Sequence, residues 1–158
     1  MNPIADRFHN APIAKTIGFD VSCNPANEVE VSLSVSSHLW NPMGKLQGGV
    51  MSILADAAMG IAFGRELSPD CEFSTIDFSI SHMRPVTRGW LRAIGRVVQR
   101  GVSVGFLECE IYLYRDQIAY QTHSASAETE GGKLVATATC SCITTPAIHR
   151  PPNHRDQE

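Results

Sequence analysis

The sequence predicts an α+β protein in which a curved antiparallel sheet wraps around one central helix. The run from Val50 to about Arg65 is long enough for a helix and leaves no polar face, and such a helix is normally buried on all sides. Five or six strand-like segments separated by short turns accompany it, which is typical of one antiparallel sheet. The length of 158 residues suits a single domain, which we predict over residues 1–145.

The N-terminal part of the chain contains one weakly and one strongly patterned segment. Residues 3–15 predict a short helix or arm that ends before Gly18. Residues Glu28–Ser36 alternate strictly between apolar residues and Glu or Ser, which indicates a half-buried strand. Proline and glycine residues between positions 40 and 49 then indicate a loop that leads into the helix.

The pattern changes to strands after the Ser-Pro-Asp sequence at positions 68–70. The predicted strands are Thr75–Arg84, Trp90–Arg100, Val102–Leu113 and Lys133–Thr144. Residues 117–127 fit either an additional strand or a mobile excursion. Residues 146–158 have little to bury and predict a disordered tail.

Composition and charge exclude several classes of protein. A net charge of −3 and a pI near 6.0 argue against a nucleic-acid binder. The longest nearly apolar stretch, Val50–Phe63, is shorter than a membrane span and contains Asp56. No apolar secretory signal follows the start, so we predict a cytoplasmic protein without membrane contact.

Cysteine and histidine spacing predicts neither a metal site nor a disulfide. The five cysteines form no Cys-x-x-Cys pair, and the histidines show no ligand spacing. Cys140 and Cys142 share a strand face but are badly placed to bridge. We therefore expect reduced thiols, no metal and no cofactor.

Two segments of the chain resemble the PaaI-type hot dog acyl-CoA thioesterases. The first, 41–60, starts Asn-Pro-Met-Gly-Lys-Leu-Gln-Gly-Gly, and the second, 75–85, reads Thr-Ile-Asp-Phe-Ser-Ile-Ser-His-Met-Arg-Pro. The shared features are the glycine pair, an acidic residue eight positions after the first glycine, and the Arg-Pro strand end. Gln47 stands where the family usually has His, as in a Gln-Gly-Gly subgroup. The resemblance implies the hot dog fold, hydrolysis of acyl-CoA, and self-association as a dimer or tetramer with the site between subunits.

Asp56 is the candidate base or nucleophile of this reaction. A mid-helix Asp is usually a solvated surface residue, but this helix offers no polar face. A buried carboxylate is costly unless it is paired or hydrogen-bonded, which favours a working group in a cleft or at a subunit interface. The carboxylate would either activate water or attack the thioester directly, and the sequence leaves both routes open.

The loop and strand near Asp56 supply further candidates. Gly48 and Gly49 start the helix, where free backbone N–H groups suit a developing oxyanion, although a glycine pair also fits a plain turn. The family resemblance assigns Asn41, Gln47 and Thr75 to the site. The alternatives are loop-stabilising amides and an ordinary strand threonine.

The candidates for substrate binding are a set of arginines and a set of apolar residues. Arg84, Arg88, Arg92, Arg96 and Arg100 recur every four residues. On a strand this spacing puts the last three on one face, which fits either a solvated face or contact with the phosphates of coenzyme A, and we select Arg84 and Arg100 for that contact. Met51, Met59 and Phe63 are candidates for an acyl pocket or, more simply, for the core.

Two alternative functions stay open from the sequence. A hot dog hydratase or dehydratase fits less well, since no Asp-x-x-x-x-His pair is present and position 61 is Ile. A non-catalytic acyl-CoA or acyl-carrier binding protein would keep the pocket without turnover.

Overall fold

A computed structural model describes residues 3–23, 28–115, 120 and 131–147. The helices are α1 (Pro3–His9), α2 (Pro12–Ile17) and α3 (Gly48–Gly64), with a single 3-10 turn at Ser37–Leu39. The strands are β1 (Phe19–Cys23), β2 (Val29–Val35), β3 (Cys71–His82), β4 (Gly89–Arg100), β5 (Val104–Tyr114) and β6 (Lys133–Pro146). The predicted α+β class with one long central helix is confirmed.

The six strands form one antiparallel sheet in the order β1-β2-β4-β5-β6-β3. Helix α3 packs against its inner face, and Leu54, Ala58 and Met59 are fully buried there. Gly95 of β4 faces the backbone of Ala58, where no Cβ would fit, so a glycine lets the helix approach the sheet closely. The order also leaves β3 as an edge strand that pairs only with β6 in the described chain.

The helices and β1 differ from the sequence predictions, and the ends of the predicted strands shift by up to four residues. Helix α3 begins two residues earlier than predicted, at Gly48. The N-terminal arm is two helices, because Pro12 has no N–H to continue the first. The second ends before Gly18, as predicted, and Gly18 forms a left-handed C-cap with φ 84°. Strand β1 was not predicted, although Phe19 and Val21 alternate with polar residues and are buried.

Some predictions fall on residues that the structure does not describe. Residues 117–119, 121–127 and 148–158 lie outside the described ranges, so the additional strand and most of the disordered tail stay predictions. Pro146 itself ends β6. Among the described residues no helix is long and apolar enough to cross a membrane.

Candidate active site

Helix α3 has one open side, and Asp56 lies on it. Ser52 and Ile53 lie three or four residues from both Gly49 and Asp56, so the four residues share one side of the helix, and Gly49 and Asp56 are exposed. The expectation that the helix and its carboxylate are buried on all sides is therefore wrong for the described chain. The physical reason is that the sheet covers the helix from one side, so the opposite stripe faces outward.

Thr75 of β3 is the hydrogen-bond partner of Asp56. Its Oγ1 donates to Asp56 Oδ1 at 3.2 Å. The strand register shifts between Thr75 and Asp77, directly after this contact. The structure thus brings Thr75, one of the candidates named from the family resemblance, into contact with the candidate carboxylate.

Two cysteine thiols lie next to Thr75 and to each other. Cys142 Sγ lies 3.9 Å from Thr75 Oγ1, and Cys140 Sγ lies 3.9 Å from Cys142 Sγ. Thr75 donates its single hydroxyl hydrogen to Asp56, so its oxygen is free to accept a hydrogen bond from the Cys142 thiol. The hydrogen bond with Cys142, followed by burial, raises the pKa of the Cys140 thiol. All five cysteines, these two included, are free thiols, as predicted.

The start of α3 forms a second group of candidate residues. Gln47 is the exposed N-cap residue, and its side chain makes no capping hydrogen bond. The first backbone N–H groups of a helix have no acceptor inside the helix, so those of Gly48 and Gly49 are available to a ligand. Adding a Cβ to Gly49 would meet nothing within 4 Å, which leaves its backbone open to close approach.

His82 lies beside Gly48, and the sequence analysis missed it as a site residue. Its Nε2 is 3.3 Å from where a Cβ on Gly48 would be. The period-two pattern of β3 offered a signal, because Phe78, Ile80 and His82 alternate along the strand toward the helix side.

A cleft of about 250 Å³ opens next to the start of α3. Its lining residues are Asn41, Lys45, Leu46, Gly48, Met51, His82, Met83, Arg84, Pro85 and Val86. Asn41 Oδ1 accepts from the N–H groups of Met43 (3.0 Å) and Lys45 (3.2 Å), so this oxygen stabilises the loop. Arg84 is exposed here and donates to the carbonyl of Leu134.

Asp56 and the helix start are far apart within one chain. Gly48 and Asp56 are eight residues apart on α3, which corresponds to about 12 Å along the axis. Reacting groups need to be about 3–3.5 Å apart. The glycine amides and the carboxylate of the same chain therefore do not meet at one thioester.

The predicted alignment of the last three arginines is also wrong. The register of β4 shifts between Val97 and Gln99, and this irregularity moves Arg100 to the face opposite that of Arg92 and Arg96. The guanidinium of Arg100 lies 4.8 Å from the ring centre of Phe63, with Glu66 at 3.9 Å. Arg100 is thus at the C-terminal end of α3, away from the cleft that holds Arg84.

Arg92 and Arg96 are engaged in ion pairs on the outer face of the sheet. Arg92 pairs with Glu30 at 2.9 Å, and both side chains are largely buried. Arg96 pairs with Glu108 at 2.6 Å and with Glu110 at 3.7 Å. The arginines that recur along the sequence therefore lie in three different environments. Arg84 is in the cleft, Arg92 and Arg96 are on the outer face of the sheet, and Arg100 is beside Phe63.

All three apolar candidates are buried in the core, and one of them also lines the cleft. Met51 lines the cleft at the start of α3. Met59 and Phe63 are fully buried, and Phe63 packs edge-on against Phe73 at 6.0 Å. The simpler prediction of core packing is confirmed for these two.

In the described residues no group of three or more His, Cys, Asp or Glu side chains is arranged to hold a metal.

The family model described as the thioesterase superfamily matches residues 43–119. A 1,4-dihydroxy-2-naphthoyl-CoA hydrolase from Listeria monocytogenes is 25% identical over 99 residues, which cover 63% of this chain and 80% of that protein.

Solved structures are similar over most of the chain. A phenylacetic acid degradation-related protein from Ralstonia eutropha is 26% identical with a TM-score of 0.69, covering 90% of this chain and 99% of the other. The E. coli PaaI protein, at 20% identity and a TM-score of 0.71, covers 89% of this chain and 88% of its own, and at that identity it supports the fold alone.

Proposed function

Because this chain belongs to the thioesterase superfamily, we propose that it hydrolyses aryl- or fatty acyl-CoA thioesters to the free acid and coenzyme A. The observation that carries the proposal is the exposed carboxylate of Asp56, held by Thr75 at 3.2 Å on the open side of α3. The similarity to a naphthoyl-CoA hydrolase supports a coenzyme A ester as the substrate. Coenzyme A enters as part of the substrate, and the reaction needs no further cofactor.

Asp56 has two routes to the products. As a general base it takes a proton from water, the hydroxide adds to the thioester carbonyl, and the C–S bond breaks to release the acid and the thiol. As a nucleophile it displaces the coenzyme A thiolate to give a mixed anhydride, which water then hydrolyses. In both routes the carbonyl oxygen becomes negative, and the helix-start amides of Gly48 and Gly49 are suited to stabilise it.

The separation within one chain implies that each site uses two chains. The amides of one copy and the carboxylate of a second copy would meet at one thioester, which is consistent with an open stripe on α3. The exposed edge of β3 offers a surface for such association. We therefore propose a homodimer, or a tetramer of such dimers, as the active form.

The cleft near the helix start is the proposed site for the coenzyme A phosphates. Lys45 and Arg84 line it and are cations that bind phosphate well, and His82 beside them can donate a hydrogen bond to a phosphate oxygen. Arg100 is not retained in this role because it lies near Phe63 and Glu66 at the other end of the helix.

The proposal is tested by a panel of acyl-CoA esters that varies chain length and ring content, with free thiol release as the readout. We expect hydrolysis by the parent protein and loss of hydrolysis in Asp56→Asn. Binding of the esters without release of thiol would instead favour the non-catalytic acyl-CoA binding protein.

Complementation between two inactive variants tests the composite site. Asp56→Asn removes the carboxylate, and Gly49→Val blocks the amide while its side chain has room within its own chain. In a mixed dimer one of the two sites carries neither change, so random mixing should restore about a quarter of the parental rate. No recovery, with mixed dimers demonstrated by differently tagged copies, would place the whole site within one chain.

A further inference from the structure

The ring of Phe73 packs on the side of α3 that carries Asp56. Gly60 and Gly64 follow Asp56 at intervals of four residues, so all three lie on one side of the helix. Ring carbons of Phe73 lie 3.0 Å from where a Cβ on Gly60 would be and 2.8 Å from the equivalent point on Gly64. The ring therefore occupies the space that two missing side chains leave free.

Phe73 and Thr75 reach this side of the helix from the same strand. They are two residues apart on β3, before the shift at position 76, so both point toward α3. Thr75 contacts Asp56, whereas Phe73 contacts the glycine one helical turn further along. Asp56 and the nearer glycine in contact with the ring, Gly60, are thus about 6 Å apart along the helix axis.

A cavity of about 230 Å³ lies on the other side of the Phe73 ring. Its apolar lining includes Ile4, Phe8 and Leu67, and Phe8 stacks on Phe73 with ring centres 6.3 Å apart. Arg7 and Glu72, which form an ion pair at 3.1 Å, also line this cavity. Along α3 and β3 the ring thus lies between Asp56 and this cavity.

We propose that Phe73 sets the upper length of the acyl group by forming the end wall of the acyl-binding recess. This inference rests on the proposed thioesterase function. An acyl group whose carbonyl is attacked by Asp56 extends along Gly60 and meets the ring after about one helical turn. The preferred substrates are therefore short-chain acyl groups or those with one ring, and removing the ring joins the recess to the cavity behind it.

The test compares straight-chain esters from butanoyl- to dodecanoyl-CoA on the parent and on variants. In Phe73→Ala the ratio of kcat/KM for decanoyl-CoA over butanoyl-CoA should rise at least about tenfold, since each methylene seated in a pocket contributes severalfold or more. Phe73→Leu should show a smaller rise. Gly64→Ala should lower the ratio, because its Cβ displaces the ring.

Phe19→Leu is the matched control, since Phe19 is a buried phenylalanine of β1 on the opposite edge of the sheet. It should keep the parental chain-length profile even if its rate changes. If Phe73→Ala does not fold, the Leu and Gly64→Ala variants decide the question. A parental profile in both would overturn the role of Phe73 and leave the proposed function intact, whereas a parent that cleaves no ester overturns both.

Discussion

The hydroxyl of Thr75 donates a hydrogen bond of 3.2 Å to the carboxylate of Asp56 and so joins edge strand β3 to the central helix. Because the carboxylate is exposed in the single chain, this bond is what restricts its orientation on the open side of α3. If Asp56 is the base or nucleophile, losing the Thr75 hydroxyl should therefore slow the reaction.

Replacing Thr75 by Val removes the hydroxyl and preserves the shape of the side chain. A hydrogen bond to a charged group contributes about 1.5–3 kcal/mol, so kcat should fall about tenfold or more with little change in KM. Thr75→Ser keeps the donor and should stay near the parent in steady-state hydrolysis. Equal activity of the Val and Ser variants would show that the bond does not position Asp56.

Arg84→Ala should raise KM for coenzyme A esters more than it lowers kcat, because a phosphate contact lies away from the reacting carbonyl. The rise should be about tenfold and should shrink with a truncated thioester that lacks the nucleotide. Arg96→Ala is the control, since Arg96 is paired with Glu108 on the outer face. Equal losses on full-length and truncated substrates would contradict a phosphate contact.

The buried pair of Arg92 and Glu30 should govern stability and leave catalysis unaffected. Removing one partner of a buried pair costs about 3–5 kcal/mol, so Arg92→Met should lower the free energy of unfolding by that amount. The double variant with Glu30→Gln should recover much of the loss. Urea unfolding of the parent and of the two variants measures this, and an Arg92→Met protein as stable as the parent would contradict it.

The same pair predicts a pH dependence in the Arg92→Met variant. Burial raises the pKa of Glu30, and the charge of Arg92 opposes this rise. Without Arg92 the folded-state pKa should lie further above the unfolded value of about 4.3. The folded state then binds the proton more tightly, so stability should be highest below that value and fall as pH rises through the folded-state pKa. Unfolding curves at acidic and neutral pH test the sign.

Much of the fold follows from periodicity, whereas the site depends on features that periodicity does not reveal. The alternation in β2 and the apolar run of α3 predicted both elements within two residues. The open stripe was misjudged because Ile53 was counted with the core, although Gly49, Ser52 and Asp56 recur at helical spacing.

The strand irregularities explain the other errors. An extra residue in β4 reverses which face each later side chain occupies, and no glycine or proline marks positions 97–99. Arg100 was therefore grouped with Arg96 by spacing alone. The contact of Phe73 with Gly60 and Gly64 depends on how β3 packs on α3, which a single sequence does not specify.

The most direct test of Asp56 as the base or nucleophile is the turnover of Asp56→Asn on the ester of the panel that the parent hydrolyses best. The change keeps the size of the side chain and removes the charge needed to deprotonate water or to attack the thioester. We expect kcat to fall by at least about 10², with binding of a non-hydrolysable coenzyme A ester and the melting temperature close to those of the parent. Near-parental release of coenzyme A by this variant would contradict the role of Asp56 as base or nucleophile.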